Sequence, residues 1–372
     1  MTDLETQTET LAQTSHSSTI DTLRAIAIFC VLAHHIFSYT GYEIPYLDRN
    51  GGLIGVQLFF LISGYLIIQS ALKYSLRVFL IHRFFRIFPP YLVALLVFAS
   101  LKYLTDGGYK AIMNERWPFF FLNVFNLQFM HPVSVLLLDP IHVGWSLTVE
   151  LFWYALAPVL VYVIGKDTTK YLDWLVALVI AAMLSTAWVY WASHGLLNPL
   201  YERAFWFTRV TTDNAGLRQA VIDNAPPAQM VYFIMGAALF VFRSQLMRVP
   251  TPILWTTFSA ILLFVPQWNQ FLGLFPNILT GIGCAALFLW IRRFSICDKF
   301  TQWLAKVSYS IYLIHVPVLL WVFKYWNLTG LTGLLVAVLF ITVLAEISWR
   351  LIEFPSQRWG KRLGEEIRVS PH

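Results

Sequence analysis

The chain has 372 residues, of which 58% are hydrophobic and only 12% charged, where ordinary globular chains have about half and about a quarter. A mean hydropathy of +0.63 with thirty Phe, seventeen Tyr and fifteen Trp excludes disordered, fibrous and nucleic-acid-binding classes, because so much apolar surface must be covered by lipid or by other helices. The net charge of +6 is therefore read as membrane topology, and Cys30, Cys284 and Cys297 show neither metal-ligand spacing nor a disulfide framework.

Residues 1–18 are rich in Thr and Ser, carry three acids and no Lys or Arg, and read as a disordered cytoplasmic tail. A membrane domain follows over 19–354. Apolar stretches near 19–38, 52–71, 86–104, 145–165, 173–193, 228–242, 252–267, 271–291, 307–323 and 329–350 each approach the length of a spanning helix. The expected fold is thus an all-α integral membrane protein, a bundle of ten transmembrane helices. The apolar piece 117–130 is shorter, and its Pro118, Asn123, Asn126 and Gln128 would need partners in lipid. Leaving it out of the count puts seventeen basic residues on the cytoplasmic side and eight outside, with Arg24 inside the first span. Letting it span would invert every later loop against that rule, so it is read as a re-entrant or interfacial segment on the outer side. Both termini are then cytoplasmic, with 355–372 as a C-terminal tail, and two outer loops are long, near 101–144 and 194–227. The second carries Glu202, Arg203, Trp206, Arg209 and Arg218, which suits either a polar, glycan-like partner or plain solvation.

Ionisable residues inside spans are costly, which makes each a functional candidate. The first span holds Asp21, Arg24, His34 and His35, the fourth Glu150, the ninth His315 and the tenth Glu346; His82, Arg83 and Arg86 stand at the cytoplasmic entrance of the third. Arg24 and His35 are eleven residues apart, close to three helical turns, so they share a face with about 16 Å of rise between them. An arginine holds a phosphate bidentately, and an imidazole takes a proton from a hydroxyl near neutrality. That spacing suits a long donor with phosphates at one end, such as coenzyme A carrying a thioester; it suits equally a snorkelling arginine and a histidine bonded within the bundle.

Several blocks together resemble the acyltransferase 3 group of membrane-bound acyltransferases, which O-acetylate surface polysaccharides, lipid-linked glycans and related acceptors. They are LRAIAIFCVLAHHIF with Arg24 and His35, GVQLFFLISGYLI from Gly55, RFFRIFPPY with Arg83 and Arg86, WSLTVELFWY with Trp145, Ser146 and Glu150, SYSIYLIHVPV with Tyr312 and His315, and the closing LIEFPSQRW. In the family's order they run from Leu23 to Trp359, essentially the whole domain. The resemblance implies a ten-span enzyme of the bacterial inner membrane that uses acyl-CoA, most simply acetyl-CoA, as co-substrate with no permanently bound cofactor or metal. It implies that His35 is catalytic and that Arg24, Arg83 and Arg86 engage the acyl-CoA. Glu150 either orients His35 or pairs with an arginine to hold the bundle. The expected partners are acyl-CoA, a polysaccharide or lipid-linked glycan acceptor on the outer side, and membrane lipid. Many family members carry an esterase-like domain after the bundle; no soluble domain is read after residue 350, so a relay through such a domain is not expected and a separate partner is its natural replacement, with direct transfer and an acyl-enzyme both open. The rival from another class is a transporter or exporter of a glycan or lipid-linked sugar, against which stands the absence of a visible internal repeat.

Overall fold

The computed structural model describes residues 2–41, 46–205, 221–271, 276–294 and 298–369, with side chains from Ser18 onward except at 48–50, 201–202, 204–205, 262–263, 265–271, 276–277 and 368–369, so the expectation of a disordered tail lies, Ser18 apart, outside the described side chains. Among these residues the structure is helical throughout, with no strand. In chain order the helices are α1 (Thr2–Thr40), α2 (Leu47–Lys73), α3 (Leu76–Thr105), α4 (Gly107–Arg116), α5 (Phe120–Val124), α6 (Pro132–Leu136), α7 (Trp145–Ile164), α8 (Tyr171–Trp191), α9 (Asn198–Phe205), α10 (Pro226–Val241), α11 (Thr251–Phe271), α12 (Pro276–Ile291), α13 (Lys299–Leu320), α14 (Gly330–Ser348) and α15 (Phe354–Val369).

Among the described residues, seven stretches are helices long and apolar enough to cross a membrane: Ser18–Thr40, Gly51–Lys73, Leu76–Thr105, Trp145–Ile164, Tyr171–Leu196, Lys299–Tyr325 and Gly330–Ile367. Of the ten spans expected from hydropathy, seven meet this criterion. The other three fall on α10, α11 and α12; α10 and α12 have 16 residues each, about 24 Å of rise against about 30 Å of hydrocarbon. The side chains of α11 beyond Ile261 lie mostly outside the described residues. Leu96, Val97, Tyr162, Val163, Leu172, Leu335 and Leu351 stand exposed on long apolar helices, as side chains that face lipid do.

The chain divides into two compact units, residues 1–66 with 232–309, and residues 67–231 with 310–372. In the first, Leu23, Leu58, Leu61, Tyr65 and Phe288 form the core. Glycines set the helix approaches there: a Cβ at Gly55 would stand 2.6 Å from the Ala27 carbonyl oxygen of α1, and one at Gly64 only 2.7 Å from the Phe233 carbonyl carbon of α10. In the second unit α15 lies along α3, through the seam of Gly360 and Gly364. Gly165, at φ +90°, ends α7 where an L side chain would be strained, its N–H closing on the Val161 carbonyl at 2.9 Å.

The region 107–144 contains no spanning helix, only α4, α5, α6 and single 3₁₀ turns. Several of its polar residues are buried in protein and hydrogen-bonded there, although Asn123 Oδ1, Asn126 Nδ2 and Gln128 Nε2 have no hydrogen-bond partner among the described residues. Asn123, Asn126 and Gln128 are fully buried; the Tyr91 hydroxyl donates to the Asn123 carbonyl at 2.5 Å, the Asn123 amide to the Ser134 carbonyl at 3.3 Å, and the Thr148 hydroxyl is shared between Asn126 and Gln128. Irregular backbone at this position is thereby buried against α3 and α7, the arrangement that membrane proteins tolerate.

Candidate active site

Arg24 and His35 both lie on α1 in the first unit, half-buried and eleven residues apart. His35 Nδ1 is 3.0 Å from the Val31 carbonyl one turn back. A carbonyl only accepts, so this bond places the proton on Nδ1 and makes Nε2 the unprotonated, basic nitrogen. The His34 ring stands edge-on to His35, with centroids 5.0 Å apart. Close approach of α2 holds His34: a Cβ at Gly52 would fall 2.8 Å from its Cγ.

Arg83, Arg86 and Glu150 lie in the second unit. Arg83 and Arg86 are one turn apart on α3 and line a cavity of about 300 Å³ together with His82, Tyr74, Gln357 and Lys361. Two aromatic rings fix Arg83, whose guanidinium carbon sits 5.5 Å from the Phe79 centroid and 5.7 Å from that of Tyr154. The Tyr154 hydroxyl donates to Glu150 Oε1 at 2.8 Å, so Glu150 and Tyr154, one turn apart on α7, form a shelf beneath the arginine. Arg83 Nε is buried with no hydrogen-bond partner among the described residues. A buried donor left open beside two further cations is the arrangement an anionic group would complete.

Lys361 was not expected in this site, whereas His82 stands beside Arg83 and Arg86 in the sequence itself. Lys361 reads as one more cytoplasmic charge, yet α15 carries it onto α3 because Gly360 and Gly364, four residues apart, remove side chains from the seam. A Cβ at Gly360 would lie 2.7 Å from Phe85 Cβ, and the Ser356 hydroxyl donates to the Phe85 carbonyl at 2.8 Å. The small-xxx-small spacing over 360–364 is the sequence signal that points to such a contact. Glu353 anchors the start of α15: almost fully buried, it accepts from Ser310 Oγ at 2.8 Å and from Gln357 Nε2 at 3.1 Å.

Several of the remaining intramembrane polar residues have local partners, whereas the fully buried Gln57 amide has no hydrogen-bond partner among the described residues. Glu346 accepts from Arg350 Nε at 2.6 Å, one turn along the same helix. His315 is fully buried, with Nδ1 2.8 Å from the Tyr312 carbonyl. The Ser146 hydroxyl meets the Tyr312 hydroxyl at 2.7 Å, and Ser308 donates to the Ala305 carbonyl at 2.8 Å. Trp206, Arg209 and Arg218 of the second long loop lie outside the described residues.

Among curated proteins the chain is similar to the peptidoglycan O-acetyltransferase OatA of Listeria monocytogenes, at 28% identity over 380 residues covering 92% of this chain and 56% of that protein. It is 24% identical to a Staphylococcus aureus protein named as a candidate O-acetyltransferase and to a Bacillus subtilis protein named as a candidate peptidoglycan O-acetyltransferase, covering 57% and 55% of their lengths. The chain thus spans little more than half the length of the relatives it matches. No solved structure matches it. Residues 18–349 match the profile described as an acyltransferase domain, nearly the whole of the chain, and the protein belongs to this acyltransferase 3 family.

Proposed function

We propose that this protein is an inner-membrane O-acetyltransferase that takes an acetyl group from cytoplasmic acetyl-CoA and places it on a hydroxyl of an extracytoplasmic glycan of the peptidoglycan type. The observation that carries the reading is the basic cavity of Arg83, Arg86, His82 and Lys361 at one end of a membrane-length helix, in a chain of an acyltransferase family. In this reading α10, α11 and α12 join the seven long helices to make ten spans, both termini are cytoplasmic, and the cavity opens on the cytoplasm. The region 107–144 is then the outer re-entrant segment.

The donor's phosphates are held by Arg83, Arg86 and Lys361, while Arg24 and His35 of the other unit keep the donor-binding and catalytic roles that the family resemblance implies. His35 Nε2 removes the proton from the acceptor hydroxyl as its oxygen attacks the thioester carbonyl carbon. The C–S bond breaks, the ester C–O bond is formed, and the imidazolium returns its proton to the departing thiolate of CoA. Glu150 acts through Tyr154 as a support for Arg83, which favours the arginine-pairing alternative for that carboxylate.

The test uses purified protein in liposomes with labelled acetyl-CoA on the cytoplasmic face and a soluble peptidoglycan fragment on the other. Thioester loss and labelled glycan should appear with wild type and vanish with His35→Ala. Equal turnover in the His35 variant, or no thioester loss with any acyl-CoA, would overturn the reading.

A further inference from the structure

Lys102 stands nineteen residues after Arg83 on α3, about 28 Å along the helix and hence at the opposite membrane surface from the basic cavity. Three stretches distant in sequence meet there, the end of α3, the turn 139–144 and the π-helical turn Trp321–Tyr325, around a cavity of about 110 Å³. The wall groups that matter are Lys102, Asp106, His142, Trp321, Lys324 and Tyr325.

The turn is built around a buried carboxylate. Asp139 accepts from the Ile141 and Gly144 N–H groups, both at 3.0 Å, and the chain folded over it holds His142 at φ +64°, a region non-glycine residues seldom adopt. That backbone presents the His142 imidazole to Lys102, with Nε2 3.1 Å from Nζ. An ammonium has only donors, so the imidazole accepts and is neutral. Across the cavity Asp106 uses Oδ1 to cap α4, accepting from Gly108 and Tyr109 at 3.0 and 3.1 Å, which leaves Oδ2 toward Lys324 at 4.0 Å. The Trp321 and Tyr325 rings lie 5.5 Å apart on the remaining side. None of these groups serves the donor cavity.

A lining that combines two aromatic rings with two cations, a carboxylate and an imidazole matches one chemical class. A pyranose presents an apolar C–H face that rests on an indole or phenol ring and an edge of hydroxyls that both donate and accept. We propose that this cavity is the acceptor subsite, seating one sugar ring of the glycan on Trp321 and Tyr325 with its hydroxyls bonded to Lys102, His142, Asp106 and Lys324. The assignment rests on the acyltransferase reading for its biological sense, while binding itself requires no donor.

The experiment measures equilibrium binding of a labelled N-acetylated peptidoglycan disaccharide to purified full-length protein without acetyl-CoA, then the acceptor KM in liposomes. Trp321→Ala should weaken disaccharide binding and raise acceptor KM about tenfold or more, Trp321→Phe should restore most of both, and Lys324→Met should weaken binding about threefold to tenfold. Unchanged thermal unfolding separates these losses from misfolding, and Lys324→Met, on an exposed side chain, keeps the test open if Trp321→Ala does not fold. Wild type without measurable disaccharide binding, or variants that bind and turn over like wild type, would overturn the subsite. Failure of the enzyme reading appears differently, as absence of thioester loss in a wild type that still binds the sugar.

Discussion

Removing one cation from the basic cavity tests how the donor is held. Arg86 is half-buried and lines the cavity beside Arg83, while Lys361 is exposed on α15. A charge-assisted bond from a half-buried guanidinium to phosphate contributes about 1.5–3 kcal/mol, so Arg86→Ala should raise the KM for acetyl-CoA about 10–150-fold. An exposed ammonium contributes about 0.2–1 kcal/mol, so Lys361→Ala should raise it by no more than about fivefold. Both groups touch a part of the donor that does not react, so kcat should stay near wild type. The decisive control is acetyl-pantetheine, which keeps the thioester and lacks the nucleotide phosphates. With that donor the wild type should itself be poor, and Arg86→Ala should cost almost nothing further. The assay is thiol release at saturating glycan, with unfolding midpoints as the control for folding. If Arg86→Ala keeps the wild-type KM, or loses the same factor with acetyl-pantetheine, the cavity does not hold the donor's phosphates.

Two further outcomes follow from packing and burial. Gly360→Val puts a branched side chain where even a Cβ would stand 2.7 Å from Phe85 Cβ; it should cost about 1–3 kcal/mol in unfolding and raise the acetyl-CoA KM at least as much as Lys361→Ala, since α15 carries that lysine. Wild-type values in both assays would show that the seam does not position the lysine. Burial holds the Asp139 carboxyl at about 6, above its usual 3.8, although the N–H groups of Ile141 and Gly144 and the charge of Lys102 pull it down. The folded state therefore binds this proton more tightly than the unfolded chain does. Its stabilising contribution is complete below pH 3.8 and is lost as pH rises through 6, a change of about 3 kcal/mol. Asp139→Asn has no such proton to lose, so wild type should decline relative to the variant between pH 4 and 7 and run parallel to it above; denaturation in detergent at four or five pH values measures this, and a constant difference would contradict it.

Hydropathy and residue spacing by themselves determined that the chain is helical and built for a membrane, because a helix satisfies its own backbone and the apolar runs have the length of the hydrocarbon core. The blocks around Arg24, His35, Arg83, Arg86 and Glu150 likewise marked the candidates for chemistry, since each is an ionisable group that apolar surroundings make costly. The span count was less legible: the stretches 228–242 and 271–291 are apolar enough, but their helices have only 16 residues each. Only the tertiary structure decided which charges share a cavity. Lys361 and Arg83 are almost three hundred residues apart, and their meeting depends on two glycines that let α15 lie on α3. The same holds for Lys102, His142 and Lys324, unremarkable polar residues in sequence, which line one cavity with Trp321 and Tyr325 once the turn over buried Asp139 presents His142. Local pattern reports how each segment meets lipid, whereas these sites arise from contacts between segments, which carry no periodic signal in the chain.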